Sequence, residues 1–108
     1  MKARTNNMNI QDLTEKIEKW AIDRNLHTAD PKSQAIKLFE ELGELAEGLS
    51  KNKIELIEDA IGDSYVVLTI LAMQLDLDIN QCIQTAYDEI KDRKGKMVNG
   101  VFVKEQDL

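Results

Sequence analysis

Two clusters of carboxylates are the strongest candidates in this sequence for a catalytic or metal-binding site. The first is the run Glu40-Glu41-Leu42-Gly43-Glu44, followed by Glu47, within a segment of helical periodicity. Residues three or four positions apart project from the same side of a helix, so Glu44 neighbours both Glu40 and Glu41. Like charges at this spacing repel by roughly 0.2–0.5 kcal/mol, and a bound cation reverses that sign. A solvated acidic face is the alternative, because most charged helix residues are exposed.

The second cluster, Glu58-Asp59-Ala60-Ile61-Gly62-Asp63, places one carboxylate within an apolar face. At about 100° per residue, the neighbours of Asp63 on the same side are Val66, Val67 and Ile70. An ionised carboxylate buried without a partner costs several kcal/mol. A proton, a basic side chain or a metal ion must therefore neutralise Asp63, and a lysine or a helix terminus would do so without any metal.

The presence of acidic clusters on two consecutive helices favours a metal ion as the group that neutralises Asp63. An antiparallel pair of helices brings Glu41, Glu44, Asp59 and Asp63 into one pocket. Oxygen ligands of this kind suit Mg²⁺ or Mn²⁺ rather than zinc or copper. We therefore predict a Mg²⁺ site, with Mn²⁺ as the alternative ion.

The elements that must position these carboxylates are helices. Asn9, Asp30 and Asp78 are suitable N-caps, and Pro31 suits a first helical position. The predicted helices run from about Ile10 to Asn25, Pro31 to Leu49, Lys53 to Leu75 and Asp78 to Lys94. Asn99-Gly100 between two short apolar runs predicts a β-hairpin. We predict an all-α fold, a four-helix bundle with a short C-terminal β-hairpin or extended arm.

Three of the predicted helices carry apolar stripes that we expect to face the core. The stripes are Ile10, Leu13, Ile17, Trp20 and Ala21 in the first helix, Ile36, Phe39, Leu42, Leu45, Ala46 and Leu49 in the second, and Ile79, Ile83, Ala86, Tyr87 and Ile90 in the fourth. The third helix is apolar on nearly all sides from Tyr65 to Met73, which is typical of a helix buried in a bundle or at an oligomer interface. Gly43 and Gly48 lie inside the second helix, where close packing or a ligand would explain them.

Length and composition narrow the class of protein. The 108 residues suit one domain over residues 1–108, with a helical core over 10–94 and a C-terminal arm over 95–108. A net charge of −6 argues against a nucleic-acid partner, whereas a nucleotide can be bridged to acidic residues by divalent cations. A single cysteine, Cys82, excludes an intrachain disulfide and a cysteine-based zinc cluster. Residues 1–9 lack an apolar signal segment and the longest apolar run has nine residues, so we expect a cytoplasmic protein without a membrane partner.

Both acidic segments resemble the motifs of one enzyme family. Residues 37–47 resemble the EExxE segment of the MazG-like nucleotide pyrophosphohydrolases, and residues 59–63 resemble their second acidic motif, ExxD. The similarity extends over residues 10–94, and residues 95–108 resemble the ending of small single-domain members, including those of phages. One position departs from the pattern: Ala60 stands where ExxD has an acidic residue, and Asp59 lies on the same helical face.

The resemblance implies a Mg²⁺-dependent enzyme that hydrolyses a (d)NTP to a (d)NMP and pyrophosphate in nucleotide-pool control. It implies Glu41, Glu44 and Asp63 as metal ligands, with Asp59 as a fourth. The resemblance makes Glu40 a candidate for orienting the attacking water. Glu41 is then both a metal ligand and a catalytic residue. The family assembles as dimers or as tetramers of two dimers, so we expect a homodimer or homotetramer.

The resemblance also indicates where the substrate binds. Family members hold phosphates with basic residues near the end of the last helix, where this chain has Lys91, Arg93, Lys94 and Lys96. These residues also suit a helix C-terminus without any ligand. Lys37 is a further phosphate candidate or an ion-pair partner of Glu40.

The resemblance also makes Trp20 and His27 candidates for the base-binding aromatic and histidine residues of related enzymes. The position of Trp20 on the apolar stripe favours core packing instead, and a loop position leaves His27 simply exposed.

Three alternatives remain at the level of sequence. Two are other enzymes on the same fold, a base-specific dUTP or dCTP hydrolase and a phosphoribosyl-ATP pyrophosphohydrolase, because the metal motifs do not choose the base or the sugar. The third is a helical interaction module without catalysis, in which the carboxylates form only a solvated face. The expected burial of Asp63 speaks against this module.

Overall fold

The computed structural model describes residues 7–108, which form four α-helices followed by a two-stranded hairpin. The elements are α1 (Ile10–Asp23), a 3₁₀ turn (Leu26–Thr28), α2 (Pro31–Ser50), α3 (Ile54–Gln74), α4 (Ile79–Ile90), β1 (Gly95–Val98), β2 (Val101–Lys104) and a second 3₁₀ turn (Glu105–Asp107). The predicted all-α fold with a terminal hairpin is confirmed. The predicted lack of a signal segment falls largely on residues 1–6, which lie outside the described residues.

The predicted N-caps start three of the helices. The side chain of Asn9 accepts a hydrogen bond from the backbone N–H of Asp12, at 2.8 Å. The Asp30 side chain accepts one from the N–H of Lys32, at 3.0 Å, ahead of Pro31 in the first turn. Asp78 caps α4 in the same way. Each cap satisfies a backbone donor that has no partner inside its helix.

The hairpin forms where Asn99-Gly100 predicts it. Asn99 has φ 51° and Gly100 has φ 80°, so both central residues are in the left-handed region that a type I′ turn requires. The strands pair antiparallel, with Val98 opposite Val101. Helix α4 ends at Ile90 rather than near Lys94, because the carbonyl of Lys94 accepts the N–H of Glu105 at 2.8 Å and already belongs to the base of the hairpin.

Helix α3 lies at the centre of the packed helices, and α1 and α2 both pack against it. The buried apolar residues are Ala21 of α1, Ala60, Val67, Ile70 and Ala72 of α3, and Ile79 of α4. Helix α4 meets the other helices mainly at its first residue, since residues 80–90 are all exposed. No helix within residues 7–108 combines the length and apolar character needed to cross a bilayer.

The prediction that the apolar stripe of α2 faces the core was wrong. Phe39 is 73% exposed, and Ile36, Leu42, Ala46 and Leu49 are exposed as well. The side of α2 that carries Glu41 and Gly48 packs on α3 instead. Leu45, between the two sides, is half-buried.

The stripes of α1 and α4 are also only partly buried. In α1, Ala21 is buried and Ile17 half-buried, whereas Ile10, Leu13 and Trp20 are exposed. In α4, only Ile79 is buried. The reason is geometric, because each of these helices reaches α3 along one narrow line and no further element of residues 7–108 covers the rest.

Gly48 allows α2 and α3 to approach closely at their connection. A Cβ at Gly48 would lie 2.9 Å from Cγ1 and 3.2 Å from the backbone N of Ile57, whereas a Cβ at Gly62 would meet nothing within 4 Å. We therefore expect Gly62→Ala to stabilise the protein by about 0.5–1 kcal/mol through helix propensity. Gly48→Ala gains the same propensity but must move Ile57, at a cost of roughly 1–3 kcal/mol.

Urea denaturation of both glycine variants measures the difference. The midpoint of unfolding should rise for Gly62→Ala and fall for Gly48→Ala. Equal increases would show that the contact at Gly48 relaxes freely, so that this glycine is not required by packing.

Candidate metal centre

Three carboxylates from two helices converge on one point. Glu41 and Glu44 of α2 and Asp63 of α3 each offer an oxygen, and these atoms lie within 4.8 Å of one another. The three-residue spacing of the two glutamates places them on one side of α2, and the antiparallel packing of α2 on α3 brings Asp63 opposite them. We call these three residues the acidic cluster.

Glu41 is the most buried member of the acidic cluster, with 9% of its surface exposed. Its Oε2 atom has no hydrogen-bond partner among the described residues. Burial raises the pKa of Glu41 above its ordinary value, and the charges of Asp63 and Glu44 raise it further, whereas Lys37 opposes them. A buried carboxylate oxygen without a donor costs free energy unless a proton or a cation reaches it.

Asp63 of α3 is the second carboxylate of the acidic cluster whose pKa is raised. Burial raises the pKa of Asp63 most, the charges of Asp59 and then Glu44 raise it further, and the charge of Lys37 lowers it. Converging carboxylates with raised pKa values share either protons or a cation. An oxygen-only donor set with one unsatisfied buried oxygen fits a hard divalent cation such as Mg²⁺ or Mn²⁺.

Asp59 lies beside the acidic cluster rather than within it. Its charge raises the pKa of Asp63, but it is exposed and does not belong to the group whose oxygens lie within 4.8 Å. Ala60, at the position where the ExxD pattern has an acidic residue, is fully buried. A carboxylate at position 60 would thus point into the helix packing, whereas Asp59 is exposed.

An apolar groove between α1 and α3 adjoins the acidic cluster. It has a volume of about 850 Å³ and is lined by Ile10, Leu13, Ile17, Glu55, Glu58, Asp59, Ile61, Gly62, Asp63, Tyr65 and Val66. The Tyr65 hydroxyl lies 2.6 Å from the Thr14 hydroxyl across the helices. The sequence alone does not predict this groove, because the groove forms only where α1 crosses α3 beside Asp59. The hydroxyl of Tyr65 at the start of a mostly apolar segment is the one indication in the sequence.

Lys37 and Glu40 flank the acidic cluster differently. The charge of Lys37, the last and opposing contribution, lowers the pKa of both Glu41 and Asp63. Glu40 is exposed on the adjacent side of α2.

The basic residues near the end of α4 lie elsewhere. Lys91 pairs with Asp88 at 3.4 Å, and Arg93 lies 3.9 Å from Glu89. Lys94 lines a cavity of about 520 Å³ between α4 and the hairpin, and this cavity shares no residue with the groove beside Asp63. Lys96 is exposed on β1. Within one chain, the structure thus leaves these residues paired with their own helix or facing solvent.

Trp20 and His27 also differ from their expected environments. The expectation that Trp20 packs in the core was wrong: it is 45% exposed, and the Arg24 guanidinium lies 4.2 Å from its ring centroid. A cation–π contact at an exposed site contributes only about 0.5–1 kcal/mol, so it accompanies the exposure of Trp20 rather than causing it. His27 is half-buried in the first 3₁₀ turn rather than exposed in a loop, and its Nδ1 atom has no partner within residues 7–108.

Comparison with known proteins agrees with this arrangement. The model of the MazG nucleotide pyrophosphohydrolase domain matches residues 29–98, which include the whole acidic cluster. An uncharacterised 18.2 kDa protein from the rep-hol intergenic region of Haemophilus phage HP1 is 51% identical over 70 residues, 64% of this chain. The alignment spans only 43% of that phage protein. No solved structure matches the chain.

The MazG family is generally dependent on divalent metal ions, in keeping with the acidic cluster. Because the family model covers well over half of the residues, including both acidic motifs, the chain belongs to the MazG nucleotide pyrophosphohydrolase domain family.

Proposed function

We propose that this protein is a Mg²⁺-dependent nucleoside triphosphate pyrophosphohydrolase, which converts a (d)NTP and water to a (d)NMP and pyrophosphate. The observation that carries the proposal is the acidic cluster, with the unsatisfied buried oxygen of Glu41 at its centre. A helix face that is merely solvated has no reason to bury a carboxylate without a donor. Membership of the MazG family supplies the reaction class.

Each residue of the site then has a defined task. Glu41, Glu44 and Asp63 would hold the cation, and Asp59, whose charge acts on Asp63, would support that ligand. When bound, the cation neutralises triphosphate oxygens and the charge that develops on leaving pyrophosphate. Glu40 orients the water that attacks the α-phosphorus, and Lys37 contributes a positive charge beside the phosphates.

We further propose that the groove between α1 and α3 holds the nucleoside. Its lining contains no lysine or arginine, so it suits the base and sugar rather than the phosphates. Ile10, Leu13 and Ile61 offer apolar surface, and the oxygen of the Tyr65 hydroxyl offers a hydrogen-bond acceptor at its wall, since the Tyr65 proton is donated to Thr14. The groove reaches Asp63, which leaves the phosphates facing the acidic cluster.

Pyrophosphate release from a panel of NTPs and dNTPs with Mg²⁺ is the test. We expect turnover to a monophosphate and pyrophosphate, without free orthophosphate until a pyrophosphatase is added. Turnover confined to dUTP or dCTP would assign a base-specific hydrolase, and turnover of phosphoribosyl-ATP alone would assign that reaction. If a folded, metal-loaded protein turns over none of these substrates, the helical interaction module replaces the enzyme.

A further inference from the structure

The hydroxyl of Tyr65 belongs to a chain of hydrogen bonds that fixes the direction of its proton. Oγ1 of Thr14 lies 2.7 Å from the carbonyl oxygen of Ile10 and 2.6 Å from the hydroxyl oxygen of Tyr65. A carbonyl oxygen only accepts, and threonine has a single hydroxyl proton, so Thr14 donates that proton to Ile10. Tyr65 must then donate its own proton to Thr14, because two oxygens at this distance need a proton between them. The Tyr65 oxygen is left as an acceptor.

Burial keeps this chain of hydrogen bonds in one arrangement. Thr14 is only 5% exposed, so solvent offers its hydroxyl no ready alternative partner. Turning the Tyr65 proton away would leave the buried Thr14 oxygen without a donor, which costs free energy. Tyr65 itself is half-buried and lines the groove between α1 and α3. The groove therefore meets a tyrosine oxygen that accepts hydrogen bonds and does not donate them.

The other polar side chains that line the groove are carboxylates. They are Glu55, Glu58, Asp59 and Asp63, and the remaining lining residues within the described part of the chain are apolar or glycine. An ionised carboxylate only accepts, and Asp63 is ionised whenever the acidic cluster holds a cation. From Glu58 to Val66 the lining residues lie inside α3, where each backbone N–H bonds to a carbonyl one turn back. The side chains of the groove thus form a wall of acceptors.

Nucleobases differ in what they present to a wall of acceptors. The exocyclic amino group of cytosine, adenine or guanine carries two N–H donors. Uracil and thymine have a single ring N–H donor, which lies between two carbonyl oxygens that would face other acceptors. Two acceptors without a proton between them leave both groups unsatisfied. The groove is therefore complementary to a base that carries an amino group.

We propose that the groove selects nucleotides whose base carries an exocyclic amino group, with Tyr65 as the specificity-determining acceptor and Thr14 as the residue that positions its proton. The inference rests on the proposed function, in which this groove holds the nucleoside. The amino group of dCTP donates to the Tyr65 oxygen. The corresponding group of dUTP is a carbonyl oxygen, which meets the Tyr65 oxygen without a proton between them.

The ratio of kcat/KM for dCTP to that for dUTP measures this selection. We expect a ratio of about 10 or more in wild type, because the wrong base leaves a partly buried acceptor unpaired. In Thr14→Val the Tyr65 proton has no acceptor in the wall and can turn into the groove, where it donates to the uracil carbonyl. The ratio should then fall to about 1–3, mainly through faster use of dUTP. Tyr65→Phe should lower the ratio mainly through slower use of dCTP.

Two variants separate the direction of the Tyr65 proton from general damage to the packing. Thr14→Ser keeps the hydroxyl and should keep the wild-type ratio. Thr69→Val removes a second buried threonine hydroxyl, which donates to the backbone carbonyl of Tyr65 at 2.8 Å and not to its side chain. Its ratio should also stay at the wild-type value. An equal fall in Thr14→Val and Thr69→Val would overturn the role of Thr14.

Binding of dCMP and dUMP in the presence of Mn²⁺, measured by isothermal titration calorimetry, tests the selection without catalysis. We expect dCMP to bind wild type about 10-fold more tightly than dUMP, and this difference to disappear in Thr14→Val and in Tyr65→Phe. Selective binding of dCMP without turnover of any nucleotide would support the inference and overturn the proposed function.

The opposite outcome is equally distinct. Turnover of dUTP by wild type at least as efficient as that of dCTP would leave the proposed function standing and overturn the inference. The unpaired backbone N–H groups in the first turns of α1 and α3 would then be the groups that read the base. Equal binding of dCMP and dUMP, or binding of neither, would overturn the inference as well.

Discussion

Replacing Asp63 by asparagine, or Glu41 by glutamine, is expected to lower pyrophosphate release by about 100- to 1,000-fold. Both changes keep the shape of the side chain and remove a charge from the acidic cluster. A catalytic cation contributes several kcal/mol to transition-state stabilisation, and each 1.36 kcal/mol corresponds to a factor of ten in rate. Steady-state kinetics at saturating Mg²⁺ measures the loss, which should appear in kcat and not only in KM.

Glu47→Gln provides the matched control for these variants. Glu47 lies one turn beyond Glu44 on the same helix, but it is exposed and its Oε1 accepts a hydrogen bond from Lys51 at 2.6 Å. We expect its activity to remain within about 2-fold of wild type, since an exposed ion pair contributes little. A loss at Glu47 equal to that at Glu41 would mean that the general negative charge of α2, and not the acidic cluster, supports the reaction.

The activity of Asp59→Asn should lie between that of the acidic-cluster variants and that of Glu47→Gln. The charge of Asp59 acts on Asp63, but Asp59 does not join the acidic cluster, so we assign it the support of a ligand rather than direct binding of the cation. Loss of such a supporting group typically costs about 10- to 100-fold in metal affinity or activity. Raising the Mg²⁺ concentration should recover part of the activity of Asp59→Asn and little of that of Asp63→Asn. Equal, unrecoverable losses would make Asp59 a direct ligand.

The acidic cluster was predictable because it depends on the spacing of residues within single helices. The spacing of Glu41 and Glu44 fixes their common side, and an isolated Asp63 within an apolar segment requires a neutralising partner wherever the helix packs. Caps and the Asn99-Gly100 turn are local in the same sense, since each depends on a few adjacent residues. The helix starts and the hairpin therefore agree with the structure.

The buried faces were less predictable, because burial depends on which elements meet. The apolar pattern of α2 is real, but the acidic side packs on α3 and Phe39 is left exposed. The apolar periodicity of a helix does not indicate whether its apolar side packs against the same chain or against another chain. Trp20 illustrates the same limit, since its stripe position predicts burial, but α1 meets α3 along one narrow line and Trp20 is left exposed beside Arg24.

Metal-free protein is expected to lose stability as the pH rises, which is opposite to a protein stabilised by carboxylate ion pairs. The pKa of Glu41 and that of Asp63 are both raised in the folded state, from ordinary values of 4.5 and 3.8. Between those values and the raised ones, the folded state binds more protons than the unfolded state. By linkage, the free energy of unfolding then decreases with pH across that window.

A divalent cation should reverse this trend. Ligands bind metal in their ionised form, so the affinity for Mg²⁺ or Mn²⁺ rises with pH. A cation that binds only the folded state adds about 2.7 kcal/mol at 100 times its Kd, which corresponds to a Tm increase of about 10–20 °C for a domain of this size. Thermal melts with a chelator and with Mn²⁺ from pH 4 to pH 8 should therefore diverge as the pH rises.

The Glu41→Gln variant distinguishes the contribution of the acidic cluster to the pH dependence of stability from that of the other titrating groups. The chelated variant should be more stable than chelated wild type at neutral pH, because it removes a buried like charge while retaining the shape of the side chain. Its melting temperature should respond little to Mn²⁺. Glu47 titrates in the opposite sense, since the hydrogen bond and charge of Lys51 lower its pKa, and that contribution is common to both proteins and cancels in the comparison. If chelated Glu41→Gln is instead less stable than wild type, the ionised Glu41 has a favourable partner in the folded protein, and the acidic cluster does not require a cation.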